Sequence, residues 1–175
     1  MARPLIEPTG VERTFHPDEI IVSKTDTKGI LTYTNKIFLD IADYTEAEVI
    51  GQPHNMIRHP DMPRCIFELL WKTISQGKEI FAYVVNLAKN GDHYWVLAHV
   101  TPNFDVNKNI IGYHSSRRVP NADILPAIKD LYAELLKIEK SHSGSPKDAL
   151  AASMGHIENM LKEKGVSYDE FIHNL

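Results

Sequence analysis

Between "EIFAYVVNLAK" (79–89) and "HYWVLAHVTPNF" (93–104) stands the pair Asn90-Gly91. Asn-Gly is the dipeptide that most favours a tight reversal between strands. Both flanks are rich in β-branched and aromatic residues, so the stretch predicts an antiparallel hairpin of two long strands. Alternation puts Ile80, Ala82, Val84 and Asn86 on one face of the first strand. It puts Tyr94, Val96, Ala98 and Val100 on one face of the second. A chain holding such a hairpin must build a sheet and cover it.

The rest of the sequence supplies the sheet and its cover. "EIIVSKTD" (19–26) and "ILTYTN" (30–35) read as strands joined by the turn "TKG". "NIIGYHSSRRV" (109–119) reads as the last of five strands. Helical signals lie between the second and third strands. "KIFLDIADY" (36–44) has helical spacing, and Thr45 to Glu48 forms a capping box. "RCIFELLWKTISQG" (64–77) carries Ile66, Phe67, Leu70, Trp71 and Ile74 on one stripe, closed by Gly77. Residues 1–18 are irregular, broken by prolines and Gly10. After Pro120 the pattern turns helical, with a linker "SHSGSP" (141–146) and a capping box from Ser167 to Glu170. The expected organisation is an N-terminal arm (1–18), an α+β domain (19–119) with a five-stranded antiparallel sheet, and a helical extension (120–175). The stripes of that extension need a partner: the domain, a second copy as in a homodimer, or another protein.

Bulk properties narrow the function classes. Net charge is −4 with no dominant basic footprint, which argues against nucleic acid as a partner. Cys65 is the only cysteine, so no internal disulfide forms and a reducing, cytoplasmic compartment is expected. The N-terminus has no signal-peptide pattern, and no apolar run long enough to span a membrane is present, so no membrane insertion is expected. Nine histidines invite a metal, yet no zinc-like spacing appears. Nucleophile elbows, phosphate-binding glycine loops and paired-carboxylate signatures are absent as well, so the chain does not read as an enzyme.

The densest chemistry lies in "PHNMIRHPDMPR" (53–64). It includes His54, Asn55, Arg58, His59 and Asp61 among three prolines. The fork of donors on Arg58 suits a phosphate. His59 donates to one or stacks nearby, while Asp61 orients Arg58 or caps the helix that starts near Pro63. A second reading keeps Arg58 and Asp61 as a local pair that ties down a proline-rich loop.

Together, "TDTKGILTYTNKIFLDIADYTEAEVIGQPHNMIRHPDMPRCIFELLW" and "KNGDHYWV" resemble the PAS domain of the bacterial aerotaxis receptor, across about residues 19–118. The resemblance implies the PAS fold, non-covalent binding of FAD, and a signal carried by the flavin's redox state to a protein partner. In that family the residues matching Arg58, His59 and Asp61 are implicated in FAD binding. It also implies that Asn86 faces the pocket and bonds the pyrimidine edge, the other possibility being a solvent-facing Asn before the hairpin. Asn35 matches a position near the cofactor and is also placed to cap the helix at 36. His54, Asn55, Phe67, Trp71 and Tyr94 complete the expected cofactor set. The chain departs from the family at Ile80, where a tryptophan is usual, and at Leu87 and Ala88, which replace a basic pair. In the related light-sensing LOV domains, the position of His114 holds a glutamine at flavin N5, which would put His114 at the redox edge or leave it structural. Those domains also place their photochemical cysteine in a G-x-N-C-R run; Cys65 lies elsewhere and reads as packing. A heme b sensor with an axial ligand from His54, His59 or His114 is the alternative, followed by a cofactor-free interaction module.

Overall fold

The structure, a computed structural model, describes residues 6–175. Five strands form one antiparallel sheet: β1 (Ile21–Thr25), β2 (Leu31–Thr34), β3 (Ile80–Leu87), β4 (His93–Phe104) and β5 (Ile110–Arg118). Their spatial order is β2-β1-β5-β4-β3. Between β2 and β3 lie α1 (Lys36–Ala42), α2 (Glu46–Val49), a 3-10 turn (His54–Ile57) and α3 (Arg64–Ile74). This is the expected α+β architecture, with α4 (Leu125–Ser141), α5 (Pro146–Lys164) and α6 (Tyr168–His173) following the sheet.

The Asn90-Gly91 hairpin forms, with a wider turn than a two-residue reversal. The β3–β4 ladder ends at Leu87 opposite His93. Gly91 alone takes positive φ, +95°, while the Asn90 side chain accepts from the Asp92 amide at 3.0 Å. Any Cβ on Gly91 would stand 2.4 Å from the Glu7 carbonyl, because the N-terminal arm crosses the turn. The arm is held by Thr9 on Gly91 and by Arg13 on Asp92. The part of the expected arm before residue 6 lies outside the described residues.

Capping sets the helix boundaries. Asn35 caps α1 by accepting from the Phe38 amide, and both capping boxes, at Thr45 and Ser167, are in place. Side chains alternate across the sheet, so each face has its own cover. Ile80–Val100, Ala82–Ala98, Val84–Val96 and Asn86–Tyr94 pair on the inner face, toward α3. The outer face meets the C-terminal helices. Tyr132 of α4 donates to the Tyr83 carbonyl at 2.6 Å and packs on Trp95, and His173 of α6 meets Phe81 edge-on. The core thus runs through the sheet, with Phe38, Ile57 and Ile66 on one side and Ile128 and Leu135 on the other.

Candidate functional site

A cavity of about 510 Å³ lies between the inner face of the sheet, the 54–57 turn and α3, within the usual size of a small-molecule site. Val84, Ala98 and Val100 give it a flat apolar floor, and Phe67, Leu70, Trp71 and Ile74 of α3 form the facing wall. The stripe on α3 that predicted burial therefore faces a slot. Trp71 sits edge-on to Tyr113, centroids 5.5 Å apart, and lies against Gly29. Gly29 has φ +80° and a Cβ there would stand 3.1 Å from the indole, so this turn needs glycine twice over.

The polar lining is concentrated at one end. Arg117 is 3% exposed, and one terminal nitrogen donates to Ser23 Oγ at 2.7 Å and to His54 Nε2. Its other terminal nitrogen, Nη1, is buried without a partner. Both acceptors are neutral, so a buried cation here lacks a counter-charge. Burial pulls the Arg117 pKa down to about 10. An arginine only donates, so His54 Nε2 accepts and its ring proton sits on Nδ1. Burial first, and then the Arg117 charge, hold the His54 pKa down at about 3. Asn86 reaches the same cavity with a buried Nδ2 that has no partner. Unmade bonds on buried donors are costly, so two such donors on one cavity point to a ligand rich in acceptors.

The expected residues divide. His54, Asn55, Arg58, Phe67, Trp71 and Asn86 line the cavity. Arg58 lies over the Phe67 ring at 4.4 Å and donates to the Met62 carbonyl at 3.2 Å. Its backbone bridges to that of Asn86. The other five lie elsewhere. Asn35 spends its side chain on structure, accepting from Val22 and Phe38 amides and donating to the Ile20 carbonyl. Tyr94 is buried behind the lining with an unpartnered hydroxyl, its pKa raised by burial. His59 and Asp61 open onto a different cleft, of about 860 Å³, beside His93, Trp95 and α4. His59 accepts the Asp61 amide on Nδ1 at 3.0 Å, and the Asp61 carboxylate lies 3.9 Å from that nitrogen. His114 stands on the other face of the sheet. It is paired with Lys24 and Thr101, while its neighbours Tyr113 and Ser115 line the cavity. Alternation therefore turns His114 to the outer face, away from the cavity.

Several lining residues escaped the sequence reading: Ser23, Thr25, Lys28, Arg64, Tyr113, Ser115, Arg117, and Leu150 from α5. The signal for Arg117 was present. Counting by twos from Tyr113 leads through Ser115 to an arginine on the face that should be buried. Cys65 is fully buried and its thiol is pushed up to about 12, chiefly by burial, which makes it inert packing. Among the described residues no cluster of three histidine, cysteine or acidic side chains is placed to hold a metal, and no helix is long and apolar enough to cross a membrane.

Comparison with known proteins agrees with this geometry. Residues 31–117 match the PAS fold family. The chain is 41% identical over 118 residues to the aerotaxis receptor of Escherichia coli (strain K12), covering 67% of this chain and 23% of that protein. It thus spans about a quarter of that relative's length. The LOV domain of the blue-light photoreceptor Aureochrome1 superposes with TM-score 0.56 at 18% identity, over 67% of this chain and 91% of that one. A light-oxygen-voltage domain studied with a flavin analogue gives TM-score 0.56 at 18% identity, over 66% and 86%. These two likenesses speak for the fold. Strand order, family match and shared sequence together make this chain a member of the PAS fold family, of the aerotaxis-receptor type.

Proposed function

We propose that the chain is a signalling sensor that binds FAD in the cavity between α3 and the sheet and reports the cofactor's redox state through its C-terminal helices. One observation carries the reading: Arg117 and Asn86 both line an apolar-floored slot, and each keeps a buried donor without a partner. An isoalloxazine ring is flat, apolar across its faces and rich in acceptors along one edge, and it supplies the electron chemistry when bound. The resemblance to the aerotaxis-receptor PAS domain implies FAD, and the light-oxygen-voltage neighbour was studied with a flavin analogue, the same ligand class. Lys28, Arg58 and Arg64 on the lining are the cations for the phosphates.

The residues around the slot give a route for the signal. Arg117 gives one terminal nitrogen to the Ser23–His54 pair and keeps Nη1 without a partner. Added negative charge in the slot draws the guanidinium forward and weakens its hold on His54 Nε2. His54, freed from that donor, becomes easier to protonate. Because His54 belongs to the turn that leads into Arg58 and α3, its shift moves the α3 wall. A population shift requires the helices to bind the two states differently; tight cofactor binding alone moves nothing.

Heme draws no support from this geometry. His54 Nε2 is already engaged, and His59 and His114 lie outside the slot. The test is the absorption spectrum of the freshly purified protein, with denaturation-released cofactor run against FAD, FMN and heme standards. A two-band flavin spectrum and released FAD are expected. A colourless protein that also refuses added FAD would refute the reading and leave the cofactor-free module.

A further inference from the structure

Helix α3 starts without a cap of its own. Its N-cap is Pro63, which has no side-chain acceptor. The first amides find one far along the chain: Arg64 N and Cys65 N donate to Oε2 and Oε1 of Glu139, at 3.1 and 3.0 Å. Glu139 belongs to α4. Ser153, a fully buried residue of α5, donates its hydroxyl to the same Oε1 at 3.0 Å. The Arg64 guanidinium reaches the carbonyl of Pro146, the first residue of α5, at 3.3 Å. One carboxylate thus joins three helices. Downstream on α3, Phe67 and Trp71 wall the cavity, and Leu150 of α5 lines it directly.

We propose that Glu139 is a positioning residue that makes the cavity's ligand affinity and the docking of the C-terminal helices depend on each other. It sets the start of α3, and so the wall formed by Phe67 and Trp71, only while α4 and α5 are docked. Linkage is reciprocal: if docking tightens binding, then binding tightens docking by the same factor. The signal then passes from the α3 wall to the C-terminal helices through the start of α3. This rests on the flavin reading for the identity of the ligand.

The test compares the full chain with Glu139→Ala, Ser153→Ala and, as a control on the exposed side of α4, Asp130→Ala. Affinity for FAD is read from flavin fluorescence, and docking from amide hydrogen exchange in α3 and α5 with and without FAD. Losing this cap is expected to weaken FAD binding about tenfold and speed α5 exchange by a similar factor. FAD should protect the α5 amides of the unmodified chain, and that protection should vanish in E139A while D130A behaves as the unmodified chain. Glu139→Gln keeps one acceptor for the two amides and should fall between. If E139A does not fold, Ser153→Ala, which removes the hydroxyl shared between Glu139 and the Leu150 carbonyl, is expected to show the same pattern at about threefold. An E139A chain that binds FAD as tightly as the unmodified one, or an unmodified chain whose α5 exchange ignores FAD, overturns the coupling. An unmodified chain that binds no FAD overturns the flavin reading, and the coupling with it.

Discussion

Replacing Arg117 by methionine separates a structural brace from a ligand-binding cation. Methionine keeps an unbranched apolar stem, two atoms shorter, and removes the charge. In the ligand-free chain the guanidinium is buried, has two neutral acceptors and leaves Nη1 unpartnered. Its pKa, held at about 10 by burial, corresponds to ~3 kcal/mol of destabilisation of the charged form at about 1.4 kcal/mol per pKa unit. Removing an uncompensated buried charge is worth about 1–4 kcal/mol when the replacement packs well. Ser23 and His54 still have each other, 3.3 Å apart, so no new orphan is created there. The ligand-free R117M chain should therefore be more stable by ~1–3 kcal/mol in urea unfolding. With FAD the sign reverses. A hydrogen bond from a charged donor contributes about 1.5–3 kcal/mol, so affinity should fall by roughly 10- to 150-fold in fluorescence titration. Greater stability with weaker binding is the signature of a site whose strain serves its ligand. An R117M chain that loses stability and binds FAD unchanged would refute the reasoning and make Arg117 a brace between β5, β1 and the 54–57 turn.

Further outcomes follow from the same contacts. His54 should stay neutral with its proton on Nδ1 down to about pH 3, as read by ring-nitrogen NMR; titration near the ordinary value would contradict the Arg117 contact. Since its folded pKa is depressed, the unfolded chain takes up this proton first, so His54's contribution to stability is complete above about pH 6.5 and declines as pH falls toward 3. Asn86→Leu removes a buried orphan, so the ligand-free chain should keep or gain stability while flavin affinity falls about tenfold; equal affinity would remove Asn86 from the site. Gly29→Ala strains a positive-φ turn and pushes on Trp71, costing ~1–2 kcal/mol by thermal melting. His114→Ala should leave flavin affinity and spectrum unchanged, because the side chain stands on the outer face; a shifted flavin band would restore the redox-edge reading.

Most of the fold was legible because local rules and the burial pattern agreed. The Asn90-Gly91 turn, the capping boxes at Thr45 and Ser167, and the α3 stripe each point to one element, and each element formed. The site was half legible, and the divide follows distance along the chain. Asn86, Phe67 and Trp71 line the cavity as expected because their own strand or helix determines the face they use. His59 and Asp61 lie on the other cleft, and their direction was not legible because they share a short, proline-broken segment with Arg58, where no periodicity says which way the side chains turn. Pro60 and the backbone bridge from Arg58 to Asn86 send Arg58 to the slot and the next residues to the α4 side. His114 was ambiguous for a different reason. A likeness of sequence aligned it with a residue at the redox edge of another PAS-like domain, but side-chain direction in a strand has period two. A register difference of one residue therefore exchanges the faces: here Tyr113, Ser115 and Arg117 look inward and His114 looks out. The same alternation, applied to β5 before the likeness, would have placed an arginine on the buried face. An arginine there demands acceptors, and the neutral Ser23 and His54 that it finds leave one nitrogen for a ligand.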